Sequence, residues 1–311
     1  MPGPATEAPA GLPADWPHRD ASRRVRSGGV DWHVQVFDPT EPPATGAAPD
    51  LLLLHGTGAS SHSWRDVAPQ LAQRCRVLVP DLPGHAYTAR PTGAGLTLPG
   101  MAALLGGLLK TLDSRPVALV GHSAGAAIAA RMALDGQAEP ACVVSLNGAW
   151  LPPAGSGRWF YEPMARLLAH NPFVPALFAF QAGRPAMLQR LVDSTGSRLD
   201  ASGLALYRRL VSDSRHVGAV LAMMASWDLT PLLQDLHRLR PALHLVVSEG
   251  DLTVPPATSK AAAQRVAGAV WHRLPRLGHL AHEEDPQALA GLLRAIVEAP
   301  IDGSSPYVYP D

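Results

Sequence analysis

Ser123 is the residue with the strongest claim to chemistry. It sits in Gly121-His122-Ser123-Ala124-Gly125, directly after the apolar run Pro116-Val117-Ala118-Leu119-Val120 and before the alanine-rich stretch Ala126 to Leu134. The order strand, Gly-x-Ser-x-Gly, helix is the context of a nucleophile elbow, a tight turn that strains the serine backbone and lifts its hydroxyl above the sheet edge. The flanking glycines leave room for that turn. A serine hydroxyl is a weak nucleophile until a base takes its proton and an acid orients the base.

The chain order Ser, Asp, His narrows the partners. After the apolar run Leu243 to Val247 comes Ser248-Glu249-Gly250-Asp251-Leu252-Thr253-Val254-Pro255, which offers Asp251 as the acid and Glu249 in reserve. The strand-like Val270 to Leu274 leads into Leu277-Gly278-His279-Leu280-Ala281-His282-Glu283-Glu284, where His279 is the general base. A turn aspartate that ends a strand is the plainer reading of Asp251, and a backbone-bonded loop histidine that of His279. Order and context together outweigh both.

An acyl-transfer intermediate also needs two donors aimed at its oxyanion. The backbone N–H of Ala124 and that of Thr57, in His55-Gly56-Thr57-Gly58-Ala59-Ser60, fill that role. His55 reads as scaffold. His122 reads first as structural and second as a candidate substrate contact. His282-Glu283 matches no HExxH motif, and the two glutamates suit the first turn of a helix. No metal site and no cofactor follow from the sequence.

These residues need a sheet to hold them. Trp32-His33-Val34-Gln35-Val36 alternates like a half-buried antiparallel strand, whereas Leu51 to Leu54 is apolar on both faces, as a central strand is. Val77 to Val79, Val117 to Val120, Cys142 to Leu146 and Leu243 to Val247 repeat that type, with helical spacing between them at Trp64 to Gln73, Met101 to Leu112 and Ala124 to Leu134. The class is α/β, a doubly wound and mostly parallel sheet. Between residues 151 and 239 the rhythm breaks into helix-like, aromatic-rich sequence with no obvious strand. An insertion there forms a helical cap over the strand ends, where such sheets bind ligands.

The expected organisation is a flexible leader over 1–20, a core over 21–150 and 240–299, the cap over 151–239 and a flexible tail over 300–311. Trp159, Phe178, Met224 and Trp227 are candidate substrate contacts in the cap. Lys plus Arg and Asp plus Glu are both 26, so no basic surface argues for nucleic acid. Cys75 and Cys142 read as separate buried thiols. No apolar window has the length of a transmembrane anchor, and the leader lacks the pattern of a signal peptide, so the expected location is cytoplasmic.

The same residues resemble the α/β-hydrolase superfamily over nearly the whole chain from Trp16 onward. Leu53-Leu54-His55-Gly56-Thr57-Gly58-Ala59-Ser60, Pro80-Asp81-Leu82-Pro83-Gly84-His85, Val144-Ser145-Leu146-Asn147-Gly148-Ala149 and Met223-Met224-Ala225-Ser226-Trp227-Asp228-Leu229 resemble more closely the magnesium chelatase accessory protein family of bacteriochlorophyll-making bacteria. Ala86 departs from the superfamily, which usually carries Gly after Pro-Gly-His; the cost is small unless that backbone takes positive φ.

The resemblance implies a role near magnesium insertion into protoporphyrin IX, an apolar substrate such as a porphyrin, association with magnesium chelatase, and a location peripheral to the photosynthetic membrane. His170 and His216 are then conceivable magnesium ligands, and Arg158, Arg166, Arg184, Arg208 and Arg209 conceivable propionate partners, although each also reads as an ordinary helix residue. Two functions from different classes compete. One is a serine hydrolase cleaving an ester or thioester of an apolar substrate; the other is a non-catalytic porphyrin-binding or chelatase-assisting protein on a hydrolase scaffold. A cofactor-free oxygenase would use the same triad geometry, whereas a dehalogenase would need a carboxylate at position 123.

Overall fold

The structure, a computed structural model, describes residues 11–41, 46–151, 176, 179–181 and 184–298 of the 311-residue chain. Eight strands form one sheet: β1 (Ser22–Ser27), β2 (Val30–Phe37), β3 (Asp50–Leu54), β4 (Arg76–Pro80), β5 (Pro116–His122), β6 (Cys142–Leu146), β7 (Ala242–Ser248) and β8 (Val270–Leu274), in the order β1-β2-β4-β3-β5-β6-β7-β8. From β4 to β8 every pairing is parallel, while β2 runs antiparallel to both β1 and β4.

Alternation along the central strands explains why the sheet is covered on both faces. Leu52 and Leu54 enter one core with Met101, Leu105 and Ile128, whereas Leu51 and Leu53 enter the other with Trp64, Leu71 and Leu293. The first face is covered by α1 (Leu98–Thr111) and α2 (Ala124–Leu134), and the second chiefly by the C-terminal helix Pro286–Glu298. The stretch Trp64 to Gln73, expected as one helix, is instead a 3-10 turn Ser61–Trp64 and a single helical turn Ala68–Leu71, because Pro69 sits at its start.

β1 has no counterpart in the sequence reading. Of its six residues only Val25 is a large apolar one, since a charged edge strand needs little else. It forms because Gly28 and Gly29, at φ 59° and 76°, make the two-residue hairpin turn that favours positive φ at both positions.

Between β6 and β7 the described chain is helical: α3 (Pro185–Asp193), α4 (Ala201–Val211), α5 (Ser214–Ala225) and α6 (Thr230–Asp235). Residues 1–10 lie outside the described set, but the rest of the expected leader is packed. Leu12 and Trp16 are buried against Leu210 of α4, and Arg209 pairs with Asp15 at 2.9 Å. Two large apolar side chains in a proline- and alanine-rich segment were enough to dock it. Among the described residues no single helix is long and apolar enough to cross a membrane; α5 with the stretch Thr230–Arg238 passes that test only as a pair bent by 56°.

Candidate active site

β5 ends at His122 and α2 begins at Ala124, leaving Ser123 alone at the turn with φ 52° and ψ −116°. That is an uncommon conformation for a residue with a side chain, costing on the order of 1–3 kcal/mol. The turn is held by three hydrogen bonds. Ser123 N–H donates to Leu146 O at 3.0 Å, and Ser123 O accepts from the N–H groups of Ala126 and Ala149 at 3.1 Å each. The flanking glycines are sterically required: a Cβ on Gly121 would stand 2.3 Å from the Gly125 carbonyl carbon, and one on Gly125 would stand 2.4 Å from Leu54 O.

The loop after β3 lies against this elbow. A Cβ on Gly56 would fall 3.0 Å from the Ser123 Cβ, so the backbone leading to Thr57 passes beside the nucleophile. Thr57 is exposed and Ala124 buried. Among the described residues neither amide N–H donates a hydrogen bond within the protein.

Asp251 and His279 come from the loops after β7 and β8, adjacent parallel strands. Asp251 Oδ2 lies 2.7 Å from His279 Nδ1, and Asp251 Oδ1 accepts from Thr253 N–H and Val254 N–H at 2.8 Å each. A neutral imidazole that donates from Nδ1 keeps its lone pair on Nε2. Both side chains are almost fully enclosed, at 1% and 7% exposure. Among the described residues none hydrogen-bonds the Ser123 hydroxyl, so the Ser123–His279 link is open in this structure. Such links often tighten only when substrate is bound. Glu249, the reserve acid, is instead half-exposed and faces Arg273 at 3.4 Å.

Two residues support the base from below. His122 is buried, and its Nε2 donates to His279 O at 2.9 Å, with the two rings 4.6 Å apart. Asn147 Nδ2 donates to the same oxygen at 3.0 Å while its Oδ1 accepts from Ser248 N–H. Nothing in the sequence singles out Asn147: Asn-Gly at a strand end, here with φ 47°, has the ordinary form of a turn.

Burial favours the neutral form of three histidines near the site. Burial pushes His55 down to about 4 and holds His122 and His282 well below the ordinary imidazole range. Of the cap candidates, Met224 is exposed and Trp227 packs on the main core, while Trp159 and Phe178 lie outside the described residues, as do Arg158, Arg166 and His170. His216 does not have a free nitrogen for magnesium: Nδ1 accepts from Ala86 N–H at 3.0 Å and Nε2 donates to Gly58 O at 3.2 Å. It ties α5 to the loops after β3 and β4. Arg184 lies over the Phe180 ring, 5.1 Å from its centroid.

A family model described as the alpha/beta hydrolase family matches residues 51–292. The chain belongs to that family. Among curated relatives it is 41% identical to the magnesium-chelatase 30 kDa subunit of Rhodobacter capsulatus, over 92% of this chain and 97% of the relative. Among solved structures, an alpha/beta hydrolase fold protein from Burkholderia ambifaria superposes with a TM-score of 0.70 at 26% identity, covering 88% of this chain and 97% of the other. The enol-lactonase from Burkholderia xenovorans LB400 shares the fold, with a TM-score of 0.69 at 20% identity over 89% of this chain and all of that one.

Proposed function

We propose that this alpha/beta hydrolase is a serine hydrolase that cleaves an ester or thioester of an apolar substrate, with Ser123, His279 and Asp251 as its triad. What carries the reading is the strained backbone of Ser123, set beside the Gly56-Thr57 loop, with its neighbour His122 bonded to the carbonyl of a base that is already paired with its acid. His279 Nε2 takes the hydroxyl proton as Ser123 Oγ attacks the carbonyl carbon. The N–H groups of Thr57 and Ala124 hold the oxygen that becomes negative. Collapse of the intermediate breaks the bond to the alkoxide or thiolate, which leaves with the proton from His279. Water, deprotonated by His279, then releases the acid and restores Ser123.

The 41% identity to a magnesium-chelatase subunit supports a place in bacteriochlorophyll synthesis near magnesium insertion, association with magnesium chelatase, and a tetrapyrrole methyl ester as one candidate substrate. A fluorophosphonate probe is expected to label Ser123 in the folded chain and to lose that label in Ser123→Ala. No labelling of the native protein would overturn the hydrolase.

The relative's name also supports a second reading, a porphyrin-binding or chelatase-assisting protein that does no chemistry. Full restoration of pigment by Ser123→Ala in a deletion strain would favour it. Loss of pigment would favour the enzyme.

A further inference from the structure

The acid and base loops meet a third segment, and it belongs to the insertion. Thr195 O accepts from Leu252 N–H, one residue after the acid, and from His279 N–H, the base itself, both at 3.2 Å. Ser197 Oγ, buried at 1% exposure, accepts from Leu280 N–H at 2.8 Å. Glu284 closes the same seam, with Oε1 accepting from Gly278 N–H at 2.8 Å and Oε2 from Arg198 N–H at 3.2 Å.

The packing leaves no slack. Gly196, at φ 79°, has no room for a methyl, since a Cβ there would stand 2.0 Å from Gly250 O. A Cβ on Gly278 would stand 2.4 Å from the Gly196 carbonyl carbon. Three glycines therefore bring three backbones together where one carries the acid, one the base and one the return from α3. The two loops touch each other directly through Gly250 N–H to Leu277 O at 2.9 Å, and Asn147 bridges their roots, from Ser248 to Gly278 and His279. His279 is gripped on two sides: its N–H by the insertion, its carbonyl by His122 and Asn147.

We propose that Thr195–Ser197 is a positioning element for the Asp251–His279 pair, through which the placement of α3 sets the geometry of the base. This rests on the serine-hydrolase reading for its consequence in turnover, but its structural content stands without it. Thr195 Oγ1 donates to Val192 O at 2.6 Å, so the segment is fastened to the last turn of α3 and follows that helix. A displacement of the insertion is thus carried to the imidazole by backbone hydrogen bonds.

The test uses the full chain in three measurements. Ser197→Ala removes the acceptor for Leu280 N–H and is expected to slow fluorophosphonate labelling about tenfold, as a small misplacement of a base does, and to shift the pH midpoint of labelling. The low-field His279 Nδ1–H resonance in the same variant is expected to weaken through faster solvent exchange. In the wild type, the amides of Leu252, His279 and Leu280 are expected to open together with those of α3, ahead of β7. Asp15→Ala, which loosens a different contact of the insertion, its pair with Arg209, serves as the control and leaves resonance and midpoint in place.

If native protein is not labelled, the hydrolase falls, and the resonance and amide exchange still judge the positioning element. An unchanged resonance in Ser197→Ala overturns it. So do Leu252, His279 and Leu280 amides that stay protected with β7 after α3 has opened. Should Ser197→Ala fail to fold, the wild-type exchange decides alone.

Discussion

Among the described residues two Ser, His, Asp constellations stand out, and the more complete one is the less suited to chemistry. Ser22, His33 and Asp81 form an unbroken chain: Ser22 Oγ lies 3.0 Å from His33 Nε2, and His33 Nδ1 lies 2.7 Å from Asp81 Oδ2. The acid–base distance equals that of Asp251 and His279. Yet Ser22 sits in an ordinary extended strand, all three residues are buried at 0–3% exposure, and Asp81 also accepts from Ser61 and Tyr87 N–H groups. Saturated and sealed, this chain clamps the β1–β2 hairpin to the loop after β4. At Ser123 the backbone is strained, glycines clear the approach and the hydroxyl has no partner among the described residues. An unfinished hydrogen-bond chain at a strained turn marks a place for substrate; a finished one in a regular strand marks a brace.

The sharpest way to break that contrast is to remove the acid on one side and the serine on the other. Asp251→Asn is expected to slow fluorophosphonate labelling by about 10⁴, because the imidazole loses its orienting partner and tautomer. Ser22→Ala is expected to leave the rate within about twofold. Peptide mapping of the labelled protein reads both, and a label on Ser22 would end the distinction.

Stability should respond in the opposite order. Asp81→Ala strands His33 Nδ1, the buried Ser61 N–H and the half-buried Tyr87 N–H, which predicts a loss of about 3–5 kcal/mol in urea unfolding. Ser22→Ala removes a partner of His33 Nε2 and the longest of three contacts of Gln35 Nε2, and is expected to cost about 1–3 kcal/mol.

A third buried carboxylate refines the comparison through pH. Glu283 accepts from Tyr207 of α4 at 2.7 Å and from Arg65 at 2.5 Å. Burial nevertheless pushes it up to about 7 from an ordinary 4.5, against the pull of the guanidinium. Burial alone would raise Asp81 too, but there the His33 imidazole and the amide donors win, and the carboxyl is held well below its usual range. The two signs separate. The contribution of Glu283 is full below about pH 4.5 and is lost as pH rises through about 7; that of Asp81 is lost only on acidification. Wild type relative to Glu283→Gln is therefore expected to lose about 3 kcal/mol of stability between pH 4.5 and 7.5. A flat difference across that window would mean the carboxyl is charged throughout.

Much of the site was legible because its parts are local. A strand, a Gly-x-Ser-x-Gly turn and a helix share one stretch of chain, and the acid and base each follow a recognisable strand. The central strands stood out for the same reason, since Leu51 to Leu54 feeds two cores by simple alternation. What stayed hidden are contacts between distant segments made by backbone or by residues with an ordinary local reading. Nothing in the sequence singles out Asn147, Thr195 or Ser197, and His33 is one polar position in an alternating strand. Ser22 carried no signal, because a charged edge strand lacks the apolar period that betrays the others. Glu283 was read as a first-turn glutamate favoured by the helix dipole, and its burial against α4 depends on a partner 76 residues away.

Ala86 gives the smallest effect and a test of how tightly the expected leader is held. It has φ 44°, so the methyl where related proteins usually carry glycine does sit in the left-handed region, at a cost of about 1–2 kcal/mol. Two terms oppose a gain from Ala86→Gly. The glycine adds freedom to the unfolded chain worth about 0.4–1 kcal/mol. The methyl also packs on the Leu12, Trp16 and Leu210 cluster, and one buried carbon is worth about 0.8 kcal/mol. The terms nearly cancel, so Ala86→Gly is expected to move Tm by no more than about 2 °C in either direction. A rise beyond about 4 °C would show that the methyl is strained without compensation and that Leu12 and Trp16 are not docked as described. An unchanged Tm in Ala86→Gly that becomes a clear rise once residues 1–16 are removed would show the opposite, that the docked segment is what makes alanine tolerable at that turn.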